Sequence, residues 1–161
     1  MQPDIQTIPT KHLIGQKIYT SLAENRTFEL WSGFKPRVKE IGNRVGGDFY
    51  SVQDFRDNAN LLSFTPETCF NKWAAVEVAE NTSAPEGMES YTLPSGLYAV
   101  FMHKGTPATF PQTAAYIFGQ WLPNSAYTLD QRPHFEVMSS AYNPASPDAE
   151  EEVWIPIKPK V

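Results

Sequence analysis

Cysteine is almost absent from this chain of 161 residues, which contains Cys69 alone. A single thiol cannot form an intramolecular disulfide, so the fold depends on its core. Long apolar runs are missing too, since none approaches the ~18 residues that a membrane-spanning helix needs. The opening Met-Gln-Pro-Asp has neither a basic leader nor an apolar segment, so we expect no signal peptide. These absences predict a reducing, cytoplasmic environment and no membrane partner.

An excess of positive charge is also missing. The net charge is −5 at pH 7, which opposes the counterion release on which nucleic-acid binding depends. Some basic residues gather early in the chain, but acids are interleaved among them: Lys35, Arg37, Lys39 and Arg44 beside Glu29, Glu40 and Asp48. Mixed charge of this kind is typical of a solvated helix face. We therefore expect no direct contact with nucleic acid.

Several chemical signatures are absent as well. His12, His103 and His134 show no metal-ligand spacing, and neither a Gly-x-Ser-x-Gly elbow nor a phosphate-cradling loop occurs. His134 and Glu136 form a His-x-Glu pair, but zinc deaminases also need a Pro-Cys-x-x-Cys motif. A chain with one cysteine cannot supply it. The sequence predicts no metal and no cofactor.

Aromatic side chains, by contrast, make up 13% of the chain, and hydrophobic residues 41%, a composition that indicates a globular core. The first half opens with extended segments over residues 3–21. A helix with Thr27 as N-cap and a kink at Pro36 is then predicted from an apolar stripe at helical spacing: Trp31, Phe34, Val38 and Ile41. Strands are predicted over residues 49–53 and 72–79, with a loop or irregular hairpin over residues 54–66.

The second half repeats this order. A strand over residues 97–104 precedes a helix over residues 109–121, which Pro123 is expected to end; strands over residues 134–142 and 151–157 follow. Each half therefore reads strand, helix, strand, strand. This order predicts one α+β domain over residues 1–161, built from two β-α-β-β pseudo-repeats at about 3–79 and 89–158. Two helices would lie on one side of an antiparallel sheet.

Alternation along the strands predicts which face could hold a ligand. In the last strand, Val153 and Ile155 suit the helix side and Trp154 lies opposite. In the strand before it, we place Phe135 on the helix side, which leaves Glu136, Met138 and Tyr142 on the far face with Trp154. A sheet with helices on one side should be polar on the other. An aromatic far face therefore predicts a groove there, covered by a ligand or by the other half of the chain.

Four stretches of the second half resemble the gyrase-inhibitory-protein-like (GyrI-like) family, which shares its fold with the effector-binding domains of AraC-type and MerR-type multidrug regulators. They are residues 93–105, 120–127, 132–137 and 151–158. Residues 30–34 and 73–78 resemble a long, stand-alone form of the family. The resemblance implies a groove between the repeats that holds cationic aromatic compounds, with an acid at the Pro-x-Phe-Glu position as anchor, here Glu136. With no DNA-reading module ahead of this domain, we expect no direct control of transcription.

The sequence thus predicts a protein that sequesters or senses hydrophobic, cationic aromatic molecules. The expected ligand-binding residues are Glu136, Trp154, Trp121, Trp73, Trp31, Tyr98, Phe101, Met138 and Tyr142. One alternative is hydrolysis of strained genotoxic molecules, as some GyrI-like proteins perform, with Glu136 directing water and His134 on the same strand face. Another is a partner role toward DNA gyrase or a transcription regulator. A structural alternative is that Glu136 forms an ordinary salt bridge with Arg132 or Lys104.

Overall fold

The computed structural model describes residues 1–55 and 65–161, so most of the loop or hairpin predicted over residues 54–66 lies outside the described residues. The strands in the described part are β1 Asp4–Ile8, β2 Lys11–Thr20, β3 Phe49–Asp54, β4 Phe70–Val78, β5 Glu89–Leu93, β6 Gly96–Lys104, β7 Tyr127–Leu129, β8 His134–Met138 and β9 Glu150–Pro159. The helices are α1 Thr27–Phe34, α2 Phe110–Tyr116 and α3 Leu122–Asn124. A 3-10 turn, Lys35–Glu40, extends α1, while a 3-10 turn, Pro107–Thr109, precedes α2 and a π-helix, Ile117–Trp121, joins α2 to α3.

The first two strands of the two halves recur at the same spacing. β1 and β5 begin 85 residues apart, at Asp4 and Glu89, and β2 and β6 do the same, at Lys11 and Gly96. Every strand pairing among the described residues is antiparallel. The predicted α+β fold, a duplicated unit with helices on one side of an antiparallel sheet, is confirmed.

The first strand of each half pairs with the other half. The order across the sheet is β1-β6-β9-β8-β3-β4-β2-β5, with β7 beside β9. Thus β1 lies against β6 of the second half, and β5 lies against β2 of the first. The two halves meet at the centre, where β3 pairs with β8.

Proline shapes both helical segments. The α-helix α1 buries Leu30 and Phe34 and gives way to the 3-10 turn that contains Pro36, because proline cannot donate the next helical hydrogen bond. Thr27 is not the cap: its N–H donates to Asn25 Oδ1 at 2.9 Å. Pro123 does not end the second helical segment at residue 122, because it occupies the first turn of α3, where no donor is needed.

The two helical segments pack on separate parts of the helix-bearing face. The α1 cluster comprises Ile14, Leu30, Phe34, Val38, Ile41, Ala74, Val76, Val78 and Met88. The α2 cluster comprises Ala99, Phe101, Ile117, Val153, Ile155 and Ile157. Between them lies a band that we name the central strip, formed by alternate residues of the two central strands: Ser51, Gln53, His134, Glu136 and Met138. The strip belongs to neither apolar cluster.

The face turned away from the helices, on which we expected the groove, is filled by its own side chains. Phe135 and Trp154 stack there with ring centroids 5.2 Å apart and planes at 13°, and Tyr98 is fully buried against both. We name this the packed face; its buried members are Ile8, Leu13, Tyr50, Val52, Trp73, Ala75, Leu93, Tyr98, Val100, Phe135, Val137 and Trp154. These side chains therefore close this side of the sheet as a core.

Candidate functional site

Cross-strand register places Glu136 on the helix-bearing face. Glu136 lies opposite Ser51 on one side and Val153 on the other, whereas Trp154 lies opposite Phe135. Directly opposed residues share a face. The expectation that Glu136 and Met138 share a face with Trp154 is therefore wrong. The acid lies between the two helical segments, in the central strip.

The carboxyl of Glu136 is held in a poorly solvated environment with weak compensation. The residue is partly buried. Gln53 Nε2 donates to Glu136 Oε1 at a long 3.4 Å and to Ser51 Oγ at 3.1 Å. Burial raises the pKa of Glu136 from 4.5 to about 8, an effect that Lys72 opposes and Glu151 reinforces.

Neither of the expected alternative partners, Arg132 and Lys104, pairs with Glu136. Arg132 forms an ion pair with Asp130 at 2.8 Å and donates to the carbonyl of Leu97 at 2.6 Å. Lys104 lies opposite Glu150 on the other face of the sheet. Within residues 1–55 and 65–161, none of the ion pairs involves Glu136. A salt bridge to Arg132 or Lys104 is absent from this part of the chain.

His134 is a second polar group in the strip that protein atoms leave unsatisfied. Its side chain is 7% exposed, and its Nε2 has no hydrogen-bond partner among the described residues. The ring centroid of Phe55 lies 5.2 Å from that of His134 in an edge-on arrangement, and the ring centroid of Phe118 lies 6.1 Å from it. Burial lowers the pKa of His134 from 6.5 to about 4, so the ring is neutral at pH 7. A buried ring nitrogen without a partner can bind a polar ligand atom.

A second carboxyl lies near the same strip. Glu151 is 9% exposed and, like Val153, faces the helices from β9. Burial raises its pKa, while His103 and Lys72 act in the opposite direction. Tyr142 lies in the turn after β8, where burial and the charges of Glu151 and Glu136 raise the pKa of its hydroxyl to about 12. The predicted strand over residues 134–142 is shorter than expected, since β8 ends at Met138.

Aromatic side chains flank the strip on both sides. Phe118 projects from the π-helix with 40% of its surface exposed, and π-helical turns occur frequently at functional sites. On the α1 side, Trp31 packs edge-on against Phe49 at 6.0 Å, and Phe49 lies opposite Met138. We name the sheet surface around Glu136 the floor: Phe118 lies beside it from the second helical segment, and Trp31 approaches its Met138 end through Phe49.

The other predicted ligand-binding residues lie apart from Glu136. Trp73, Tyr98 and Trp154 belong to the packed face. Phe101 is on the helix-bearing face but is 1% exposed, within the α2 cluster. Trp121 packs on Phe101 at 5.2 Å and stacks on a neighbouring tyrosine at 6.3 Å. Their role in ligand binding stays a prediction, and the fold does not bring them together with the acid.

The sequence reasoning missed four polar residues around Glu136, namely Ser51, Gln53, Lys72 and Glu151. One signal was available for two of them. In β3, Ser51 and Gln53 alternate with the apolar Tyr50 and Val52, and all four are buried. A buried polar face on a central strand indicates a site rather than a core.

The two buried titratable groups of the strip should shape stability in opposite ways. A pKa raised to about 8 makes the folded state bind more protons than the unfolded state, so Glu136 lowers stability as pH rises from 4.5 to 8. A pKa lowered to about 4 makes His134 raise stability as pH rises from 4 to 6.5. Between pH 4.5 and 6.5 the effects of the two groups on stability cancel. Above pH 6.5 only Glu136, of these two groups, makes stability depend on pH.

We expect the free energy of unfolding of the unliganded protein to lose roughly 1 to 2 kcal/mol more between pH 6.5 and 8 than that of Glu136→Gln. This range allows for screening by solvent, because the residue is only partly buried. Chemical denaturation at several pH values measures the difference. Parallel pH profiles for the two proteins would contradict a buried, ionisable Glu136.

Two depressions elsewhere among the described residues have no Asp, Glu, Lys or Arg side chain in their lining. One depression of about 390 Å³ is lined by residues of the second helical segment and by Gln2, and another of about 210 Å³ lies beside β2 and β5. No helix in the described part is long and apolar enough to cross a membrane. Likewise, these residues contain no cluster of three or more His, Cys, Asp or Glu side chains arranged to hold a metal ion.

Comparison with known proteins identifies the family. The model of the GyrI-like small molecule binding domain matches residues 1–158. The chain belongs to the GyrI-like family. This GyrI-like chain is also 26% identical over 150 residues to the transcriptional regulator BrlR of Pseudomonas aeruginosa, an alignment that covers 92% of the chain and 53% of the regulator. The chain therefore spans about half the length of that relative.

Solved structures share the fold of this GyrI-like domain. SAV2435, in a structure bound to tetraphenylphosphonium, has a TM-score of 0.66 at 18% identity, with 98% of this chain and 94% of that chain covered. The C-terminal domain of EcmrR has a TM-score of 0.71 at 11% identity, with 99% of this chain and 98% of that chain covered. A hydrolase from Listeria innocua has a TM-score of 0.62 at 10% identity, with 98% of this chain and 92% of that chain covered. At these identities the likeness shows the fold alone.

Proposed function

We propose that this protein binds hydrophobic organic cations in the central strip, with Glu136 as the electrostatic anchor. The observation that carries the proposal is the position of this carboxyl: partly buried between two helical segments, without an ion pair in the described part of the chain. A buried carboxylate that no ion pair compensates costs several kcal/mol. A ligand cation beside it would offset that cost.

The surroundings of the acid suit an aromatic cation. Phe118 and Trp31 offer ring surface on the two sides of the strip, and a cation over a ring contributes about 0.5 to 2 kcal/mol. The binding of tetraphenylphosphonium by SAV2435, which shares the fold, makes this compound a suitable probe. Met138, on the floor beside Glu136 and 8% exposed, can repack around ligands of different shape.

We expect the affinity for tetraphenylphosphonium to rise with pH. The cation requires the ionised carboxylate, and with a pKa of about 8 the ionised fraction rises from about one-eleventh at pH 7 to about ten-elevenths at pH 9. The apparent dissociation constant should therefore fall about tenfold across this range. Titration calorimetry at matched ionic strength measures it, and binding should release a proton near pH 7. An affinity that is flat from pH 7 to 9 would count against Glu136 as the anchor.

A second candidate function is hydrolysis of a reactive small molecule. The supporting observation is a raised pKa for Glu136 together with a neutral His134 two residues away on the same strand face, since a carboxylate in an apolar site can act as a general base. Glu136 would then accept a proton from the attacking water. A binder returns its ligand unchanged from a stoichiometric mixture, whereas a hydrolase converts many equivalents and loses turnover in Glu136→Gln.

The expected partners and location remain proposals. The 26% identity to BrlR suggests a link to transcription regulators. The other proposed partner is DNA gyrase, and a supercoiling assay with purified gyrase tests that proposal directly. The cytoplasmic location expected from the sequence likewise stays a prediction.

A further inference from the structure

The floor around Glu136 contains a cation of its own. Lys72 faces the helices from β4, directly opposite Gln53, and Gln53 in turn lies opposite His134 of the strip. The amide of Gln53 also contacts the carboxyl of Glu136 at 3.4 Å. Gln53 therefore lies between Lys72 and Glu136, and all three residues are on the same face of the sheet.

The floor also contains a second acid at the opposite side of Glu136. Glu151 is two residues before Val153, which lies opposite Glu136, so its side chain is on the same face and diagonal to Glu136. It is 9% exposed, and among the described residues it forms no ion pair within 4.0 Å. Lys72 opposes the rise in the pKa of both acids, in agreement with its place on the same face of the sheet.

We propose that Lys72 determines the charge of the ligand that the site accepts. This inference rests on the proposed function and deepens it. With both acids ionised, two negative charges and the ammonium of Lys72 leave one net negative charge on the floor, which one monovalent cation neutralises. A divalent cation would leave the floor positive and would approach Lys72, so it is rejected by like-charge repulsion. Without Lys72, the two acids would suit a dication.

The other basic side chains near the strip are His134, Lys35, Arg44 and His103. His134 is neutral at pH 7. Lys35 Nζ and Arg44 Cζ lie over the ring of Phe49, at 5.1 and 5.4 Å from its centroid, at the margin of the α1 side. His103, opposite Glu151, is 2% exposed and is held by Thr113 Oγ1 at 2.7 Å and the carbonyl of Thr106 at 3.2 Å.

The test compares two flat cations of nearly equal size that differ by one charge, N-methyl-phenylpyridinium and dimethyl-bipyridinium. Each is titrated into the full chain at pH 9, by competition with tetraphenylphosphonium, for wild type, Lys72→Gln and Lys72→Arg. We expect wild type and Lys72→Arg to prefer the monocation. Lys72→Gln should shift the ratio of the two dissociation constants at least about tenfold toward the dication. Lys17→Gln removes the same charge from the packed face, where Lys17 lies 5.7 Å from Trp73, and should leave the ratio unchanged.

The outcomes separate this inference from the proposed function. An unchanged ratio in Lys72→Gln, with both cations still weakened by Glu136→Gln, overturns the role of Lys72 and leaves the anchor in place. Failure of both cations and of tetraphenylphosphonium to bind any variant overturns the proposed function itself. If Lys72→Gln does not fold, Lys72→Met is used instead in the same comparison, because methionine keeps the aliphatic part of the lysine side chain and lacks its charge.

Discussion

Replacing Glu136 with glutamine is expected to weaken tetraphenylphosphonium binding about 100-fold at pH 9. The substitution keeps the shape of the side chain and removes only its charge. At an effective dielectric constant of 20, opposite charges about 4 Å apart attract by about 4 kcal/mol, and each 1.4 kcal/mol is tenfold in affinity. The expected loss is smaller than the full attraction, because the variant no longer has to keep a charge buried in the free protein. Titration calorimetry measures the change.

The matched control is Glu152→Gln. Glu152 is the neighbour of Glu151 in β9, but its side chain points to the other face, where it accepts a hydrogen bond from Trp154 Nε1 at 3.2 Å. The Glu152→Gln substitution removes the same charge from the same sheet. It should change the affinity for tetraphenylphosphonium less than about twofold. Equal losses in both variants would show that net charge, and not a specific anchor, controls binding. In Glu136→Gln the rise in affinity from pH 7 to 9 should also disappear.

The substitution Gly15→Ala is expected to destabilise the fold by roughly 3 kcal/mol or more. Gly15 lies in β2 between β4 and β5, opposite Ala75 and Glu89. A Cβ there would meet the carbonyl oxygen of Ala74 and would lie 2.7 Å from Ala75 Cα. Backbone atoms of a paired strand cannot move aside without breaking the ladder, so the methyl group would separate β2 from β4.

Urea denaturation measures this loss, with Gly42→Ala as the control. Gly42 has open space within 4 Å of the added methyl group, so this variant should change the free energy of unfolding by less than about 0.5 kcal/mol. A Gly15→Ala protein as stable as wild type would mean that β2 and β4 are not as closely spaced as described.

Much of the fold could be predicted from the sequence because it depends on local patterns. Apolar stripes in both helical segments, an apolar run in β6 and alternation in β8 and β9 identify the elements, and their repeated order identifies the duplicated α+β fold. The strand β5 was missed, since Glu89 and Ser90 at its start are polar. Its stability comes from pairing with β2, which is distant in the sequence.

Glu136 could be chosen as the candidate anchor from the sequence, but the residues around it could not. Alternation shows that Glu136 and Phe135 point to opposite faces, yet it does not show which of them faces the helices. That choice is set by register: Phe135 lies opposite Trp154, and Glu136 lies opposite Val153. A shift of one residue would exchange the two faces. For the same reason Lys72 and Glu151, on other strands, could not be assigned to the site from the sequence.

The reciprocal pairing of β1 with β6 and of β5 with β2 has a consequence for how the chain folds. Asp4 lies opposite Val100, so closing that ladder brings together residues almost a hundred positions apart, and contacts of this range slow folding. Expressed alone, a fragment ending before β5 would lack the neighbour of its own β2 and retain a β1 with nothing to pair with. We expect such a fragment to aggregate through these open edges, while an equimolar mixture of the two fragments should reassemble and recover cation binding.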